Sequence, residues 1–167
     1  MTVGYLGRVG KSLIGRTTRT TVIAAVCSLL MTVLLGASEG ATPSVGIVKM
    51  AEGTAVVQRG DQTLAASAGL ALQEGDVLRT GADGRLGVVL RDDTRVSLGP
   101  ETEIRIDRFL FAPAQGQLAL VLKMARGVAA YVSGKIAKLS PDAVHVETPV
   151  AIVGVRGTHF VAKVESP

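Results

Sequence analysis

Apolar and polar residues alternate in short stretches through most of the chain after residue 44. Val96 and Leu98 alternate with polar neighbours. Ile104 and Ile106 repeat this pattern a few residues later. A period of two that is rich in β-branched residues is typical of strands. No heptad and no long 3.6-residue period follows residue 42, so the pattern predicts an all-β domain.

The predicted strands are short and closely spaced. Four of them begin at residues 77, 85, 94 and 102, a rhythm that fits a meander, a sandwich or a short β-solenoid. The stretch Ser133–Asp142 leaves room for one helical turn or none. The predicted strands are Val45–Met50, Thr54–Gln58, Val77–Thr80, Arg85–Leu90, Thr94–Leu98, Thr102–Asp107, Gln117–Met124, Arg126–Val132, Val144–Glu147, Val150–Val153 and His159–Val164.

An apolar segment near the N-terminus predicts export. Residues 21–37 carry no formal charge and follow four basic residues, as in a secretory signal peptide, and Ser38 is a suitable cleavage site. The alternative is an uncleaved anchor, for which 17 residues are at the short end. Residues 1–41 are therefore assigned to a helical signal peptide or anchor, and 42–45 to a linker. Either interpretation places the rest in the periplasm or outside the cell, with membrane contact only through 21–37 if they stay uncleaved.

Composition and charge exclude several classes of protein. The single cysteine, Cys27, excludes a disulfide scaffold, and with two histidines it cannot supply a zinc site. The net charge of +4 suggests a nucleic-acid partner. However, residues 1–41 hold four basic residues and one acidic, and residues 42–167 hold 14 basic and 13 acidic. Nucleic-acid binding needs clustered positive charge, so we expect none.

Several segments from residue 46 to residue 164 resemble the FecR domain, and they occur in the order of that family. The most specific is the ending, which has the form T-P-x-A-x-x-G-V-R-G-T-x-F. The matching segments are Gly46–Val48 with Gly53–Val56, Leu72–Gly81, Asp83–Leu90 leading into Asp93–Pro100, and Val146–Ala151 leading into Gly154–Phe160. The motif residues for which the resemblance implies a structural role are Gly75, Asp76, Thr80, Gly81, Asp83, Gly84, Thr148, Pro149, Gly154, Gly157, Thr158 and Phe160.

The resemblance implies an all-β domain over 46–164, solenoid-like or sandwich-like, with 165–167 as a tail. Well-known FecR proteins are envelope regulators that bind a sigma factor on the cytoplasmic side and sense an outer-membrane receptor in the periplasm. Only 20 residues precede the apolar segment here, too few for a folded anti-sigma part, and no second domain is expected after residue 164. We therefore expect a binding or sensing module that contacts envelope proteins, with a role in signal transduction. The alternative is an envelope protein that binds the cell wall or a surface polysaccharide, or has a structural role.

Three arginines, Arg95, Arg105 and Arg156, are the candidate binding residues. Two of them lie on predicted outer strand faces. Arg156 lies in Gly154–Thr158, which could hold an anion but is better explained as a tight turn or bulge. His145 and His159 lack the motif and the acidic partner that a hydrolase needs. We therefore expect no enzyme activity, no cofactor and no metal.

Overall fold

A computed structural model describes residues 43–155 and 159–165, which belong to one compact unit formed by residues 42–167. Twelve strands and one short helix, α1 (Lys135–Leu139), make up this part of the chain. The all-β prediction is confirmed. The strands are β1 (Gly46–Glu52), β2 (Ala55–Arg59), β3 (Gln62–Ala65), β4 (Ala71–Leu72), β5 (Val77–Thr80), β6 (Arg85–Leu90), β7 (Arg95–Leu98), β8 (Glu103–Ala112), β9 (Gln117–Val132), β10 (Val144–Glu147), β11 (Ile152–Gly154) and β12 (His159–Val164).

The strands form one sheet that curls into a half-barrel. Its main path runs β3-β2-β5-β8-β9-β7-β6-β1-β4. Strand β10 pairs with β9 in parallel, and every other pairing between the described strands is antiparallel. Strands β7 and β8 follow one another along one edge of β9, so β10 and β12 lie along its other edge.

The long strand β9 joins the two halves of the curled sheet. Its first half pairs with β8 and its second half with β7, and the change occurs at Gly127, which has φ +94°. A Cβ at Gly127 would lie 2.4 Å from the Cα of Thr102, so this position needs glycine for both conformation and space. The sequence pattern suggested two strands separated near residue 125. The structure continues through the glycine because neighbouring strands hold both halves of β9.

The buried side chains of the sheet form one core cluster. Valine, leucine and isoleucine supply most of it, together with Met124, Phe109 and Tyr131. The predicted alternation is confirmed, since Val96 and Leu98 are both 3% exposed while Arg95 and Ser97 are exposed on the other face. This buried face fixes the register, because a shift by one residue would expose every core side chain.

Two strands were not predicted from the sequence, and the open question of a helical turn after β9 is answered. Strands β3 and β4 were missed, because β3 is mostly polar and β4 is only two residues long. The stretch after β9 contains a helical turn, α1, followed by a 3-10 turn at Pro141–Ala143.

Over residues 43–155 and 159–165 no helix is long and apolar enough to cross a membrane. The predicted signal or anchor segment lies outside the described residues.

Candidate interaction surface

Asp76 of the predicted motif is fully buried and paired with an arginine. The guanidinium of Arg59 donates from Nε to Oδ1 at 2.9 Å and from Nη2 to Oδ2 at 2.8 Å. The backbone N–H of Gln73 donates to Oδ2 at 2.8 Å, and Arg59 Nη2 also donates to the carbonyl of Ala71. A bidentate pair of this kind fixes geometry as well as charge. Asp76 therefore ties the end of β2 to β4 and to the start of β5.

Thr80 of the same motif holds the junction between β7 and β8. Its hydroxyl donates to the carbonyl of Gly99 at 2.6 Å and accepts from the N–H of Thr102 at 2.9 Å. The hydroxyl of Thr102 in turn accepts from the N–H of Val128 at 3.0 Å. Both threonines are buried, so these bonds satisfy polar groups that water does not reach.

The turn at residues 81–84 packs against Thr54. The N–H of Gly81 donates to the Thr54 carbonyl at 2.8 Å, and a Cβ at Gly84 would lie 2.1 Å from that carbonyl oxygen. The N–H of Thr54 donates to Asp83 Oδ1 at 3.2 Å. Hydrogen bonds from the side chain and then the backbone of Thr54 hold the pKa of Asp83 below its usual value. The glycines and the aspartate of this turn thus have structural contacts, while Gly75 has φ +90°, which also suits glycine.

A second buried aspartate, Asp92, was not singled out by its sequence. Its carboxylate accepts hydrogen bonds from the N–H and the hydroxyl of Thr94 and, at 3.3 Å, from the N–H of Ile136 in the first turn of α1. Gly134 lies so close that a Cβ there would be 2.3 Å from the Asp92 carbonyl oxygen. Asp92 therefore anchors α1 to the β6–β7 turn. An Asp-Asp-Thr turn gives no sequence signal for a helix 40 residues away.

The C-terminal motif forms a hairpin and then an edge strand. Thr148 begins the turn between β10 and β11, where its N–H donates to the carbonyl of Ala151 at 2.8 Å. Pro149 is the second residue of that turn, a favoured place for proline. Phe160 of β12 stacks on Tyr131 of β9 with ring centroids 5.0 Å apart. Gly154 is exposed at the end of β11, and Arg156–Thr158 lie outside the described residues.

The candidate binding arginines do not come together. Arg95 is exposed on β7 opposite Val132, and Arg105 is exposed on β8 opposite Lys123. Their partners on β9 are nine residues apart, so the two side chains lie in different halves of the curled sheet. Arg156 is outside the described residues. The role predicted for these arginines stays a prediction.

A network of ion pairs covers the outer face around β8. Glu103 pairs with Arg79 at 3.2 Å and with Arg126 at 3.6 Å. Lys123 pairs with Asp107 at 2.9 Å. Arg105 contacts Asp107 at 3.4 Å, and Glu147 lies 3.7 Å from Lys123. Charges of both signs balance here, as on a hydrated surface.

Exposed apolar side chains concentrate at the edge of β9 that pairs with β10 and β12, away from the edge that pairs with β7 and β8. Among the described residues, six large hydrophobic side chains are exposed, and four of them lie in the β10–β11 hairpin or on β12. We call these four the apolar patch: Val150, Ile152, Val153 and Val161, which are 91%, 70%, 41% and 68% exposed. Val150, Val153 and Val161 line an open groove of about 780 Å³ between the hairpin and β12. Concentrated exposed apolar area marks interaction sites.

Two of the four edge strands border the apolar patch. Strand β12 pairs with β9 alone, and β11 pairs with β10 alone, among the strands that the structure describes. Such edges present unpaired backbone groups to a partner. The other edge strands are β3, which is largely polar, and β4, which has two residues.

In the described part of the chain no group of His, Cys, Asp or Glu is arranged to hold a metal ion.

The described residues thus form a curled all-β sheet in which Asp76 and Thr80 of the motif are buried. The family model described as "FecR protein" matches residues 76–167, and the chain belongs to this family. Strands β1–β4 precede the matched range but lie in the same sheet, since β1 pairs with β6 and β2 with β5. No curated protein and no solved structure matches the chain significantly. Domains of this family are generally sensing or signalling modules and are typically non-catalytic.

Proposed function

We propose that this chain is an exported, non-catalytic interaction module of the bacterial cell envelope that acts in signal transduction by binding an envelope protein. The observation that carries the proposal is the apolar patch. It combines four exposed branched side chains with the open edges of β11 and β12. Partners that add a strand to an open edge gain backbone hydrogen bonds, and apolar side chains beside the edge add burial.

The patch is a better docking surface than the charged face around β8. On that face each acidic side chain, Glu103, Asp107 or Glu147, already has a basic neighbour within 4 Å. A partner would have to replace these contacts and remove water from the charges. At the patch the burial of Val150 and Ile152 is favourable without such a cost.

A protein partner also fits the patch better than a sugar does. Sugar-binding surfaces commonly stack rings on aromatic side chains, and the chain has no Trp. Of the described aromatic residues, Tyr131 is 3% exposed and Phe160 faces it. The exposed groups at the patch are aliphatic, which suits apolar side chains of a protein. Retention on the cell wall is therefore the outcome that would contradict the proposal.

In-cell photo-crosslinking tests this proposal. The full-length tagged chain carries a photoreactive residue at Val150 or Ile152, both of which are exposed and outside the core. Matched probes at Arg95 and Arg105 test the arginines predicted from the sequence. We expect one dominant protein adduct at the patch probes. Adducts confined to the arginine probes, or retention on isolated cell wall without any protein adduct, would overturn the assignment to the patch.

Export is tested separately by protease accessibility. A tag after residue 165 should be digested when the outer membrane alone is opened, because both interpretations of residues 21–37 export the domain. Mass spectrometry of the N-terminus then distinguishes cleavage near Ser38 from an uncleaved anchor. A tag that stays protected until the inner membrane is lysed would contradict export.

A further inference from the structure

Strand β12 has one free edge and an alternating pattern of exposed and half-buried side chains. Along this strand His159, Val161 and Lys163 are exposed, whereas Phe160, Ala162 and Val164 are half-buried and face the core side. The strand has β9 on one side and the open groove on the other. A second β12 placed antiparallel beside it would extend the sheet and cover part of the apolar patch.

Symmetry limits the possible registers. In an antiparallel pair, residues that lie opposite each other point to the same face of the sheet. Two copies related by a two-fold axis therefore place residues of equal parity opposite each other. The two central possibilities put Val161 opposite Val161 of the second copy, or Ala162 opposite Ala162.

The register centred on Ala162 is the complementary one. It places His159 opposite Glu165 and Val161 opposite Lys163 on the outer face, and Phe160 opposite Val164 on the inner face. The imidazole N–H of His159 can donate a hydrogen bond to the carboxylate of Glu165, and aromatic–β-branched pairs such as Phe160 with Val164 stabilise sheets.

The register centred on Val161 is less favourable. It places His159 opposite Lys163 rather than opposite the carboxylate of Glu165, and Phe160 opposite the smaller Ala162. Glu165 then does not lie opposite His159. Its contact with Lys163 of its own strand, 2.9 Å between side chains that are 69% and 81% exposed, contributes little and leaves both groups accessible.

We propose that a second copy of this chain is a partner of the apolar patch, paired through β12 in the antiparallel register centred on Ala162. This inference rests on the proposed function, since it uses the same surface, and it names one occupant. Such a two-fold interface is isologous, because both copies use the same surface. Pairing removes the open edge of β12 and covers Val161, which is 68% exposed in the single chain.

Cysteine crosslinking of the full-length chain tests the register. Cys27 is changed to Ala, and Val161→Cys and Lys163→Cys copies with tags of different size are expressed together and oxidised with copper phenanthroline. Opposite residues lie about 4.5–5.5 Å apart at Cβ and diagonal ones about 7–8 Å, whereas a disulfide needs Cα atoms within about 6.8 Å. We expect the mixture to form at least about fivefold more dimer than either variant alone. Thr63→Cys, exposed on the edge strand β3, is the matched control and should not crosslink.

A pair of charge variants provides a second readout. Val161→Lys places a positive charge opposite Lys163 of the second copy, whereas Val161→Glu places a negative charge there. Both lose the same apolar contact, so the sign of the charge separates them. Dimer yield in the crosslinking assay, measured with Ala162→Cys at the axis, should fall at least fivefold more with lysine than with glutamate.

These experiments distinguish a failure of the β12 pairing from a failure of the proposed function. No crosslink in the mixture, or stronger crosslinking of Val161→Cys alone than of the mixture, overturns this pairing. If the photo-probes at Val150 and Ile152 then still capture another protein, the proposed function stands without the dimer. If neither assay gives a protein adduct, both the pairing and the patch as an interaction surface are wrong.

Discussion

The ion pair between Asp76 and Arg59 is expected to contribute strongly to stability. Asp76 is 0% exposed and accepts three hydrogen bonds, two from the guanidinium and one from the N–H of Gln73. Asp76→Ala leaves the guanidinium without its carboxylate and the N–H of Gln73 without its acceptor. Removing one partner of a buried pair costs about 3–5 kcal/mol. The side chain of Arg59 is 28% exposed and can be partly rehydrated, so the low end, about 3 kcal/mol, applies.

Urea unfolding of the purified protein, followed by circular dichroism, measures this loss. With a slope of about 2 kcal/mol/M, a loss of about 3 kcal/mol lowers the midpoint by about 1.5 M. Asp61→Ala is the matched control, since Asp61 is exposed in the turn before β3 and should change stability by no more than about 0.5 kcal/mol. A double-mutant cycle with Arg59→Ala should give a coupling energy of about 2 kcal/mol. Equal midpoints for Asp76→Ala and Asp61→Ala, or additive effects in the cycle, would refute the reasoning.

Three further predictions concern the turns and the edge strand. Thr54→Val removes the hydroxyl that hydrogen-bonds to the Asp83 carboxylate, so the pKa of Asp83 should rise towards its ordinary value in an NMR titration. Because the folded-state pKa is depressed, the stabilisation from this carboxylate is present above about pH 4 and is lost as the pH falls through the folded-state pKa. An unchanged pKa would contradict the hydrogen bond from the hydroxyl. Gly134→Ala should lower the free energy of unfolding in urea by about 2 kcal/mol or more, because the added Cβ would clash with backbone atoms of Asp92 and Thr94. Gly154→Ala should be neutral, because no atom lies within 4 Å of its added Cβ. Equal effects of the two variants would contradict this prediction. Phe160→Ala should lower stability by roughly 2 kcal/mol and speed hydrogen exchange in β12 amides, and unchanged exchange would show that the stacking does not hold the strand.

The alternation of apolar residues was sufficient to predict most of the strands. Leu120, Leu122 and Met124 share one face of β9 as the sequence suggested, and each is at most 3% exposed. Strands β5, β6, β10 and β12 have the predicted bounds. A buried face with period two leaves little choice of structure, so this part of the fold follows from local pattern.

Long-range partners could not be predicted in this way. Asp76 belongs to a recognisable motif, but its partner Arg59 lies 17 residues earlier, in a strand whose sequence carries no comparable signal. The same is true of Asp92 and the N–H of Ile136, which are 44 residues apart. Such contacts depend on which strands become neighbours, and a single sequence does not show the strand order.

The arginines illustrate a further limit of sequence reasoning about sites. Arg95 and Arg105 were chosen because they lie on outer faces, and both do, yet the residues of β9 opposite them are nine positions apart.

The exposed apolar residues gave a weaker sequence signal, since Val150–Val153 and Val161 resemble ordinary strand residues until the strand pairing is known. What makes them a surface is that β11 and β12 are edge strands, so side chains that would be covered inside a wider sheet remain accessible. An edge of this kind favours association unless charge protects it. Lys163 is a charged residue on the outer face of β12, and in the proposed register centred on Ala162 it would lie opposite Val161 rather than opposite another lysine, so its charge would leave that pairing possible.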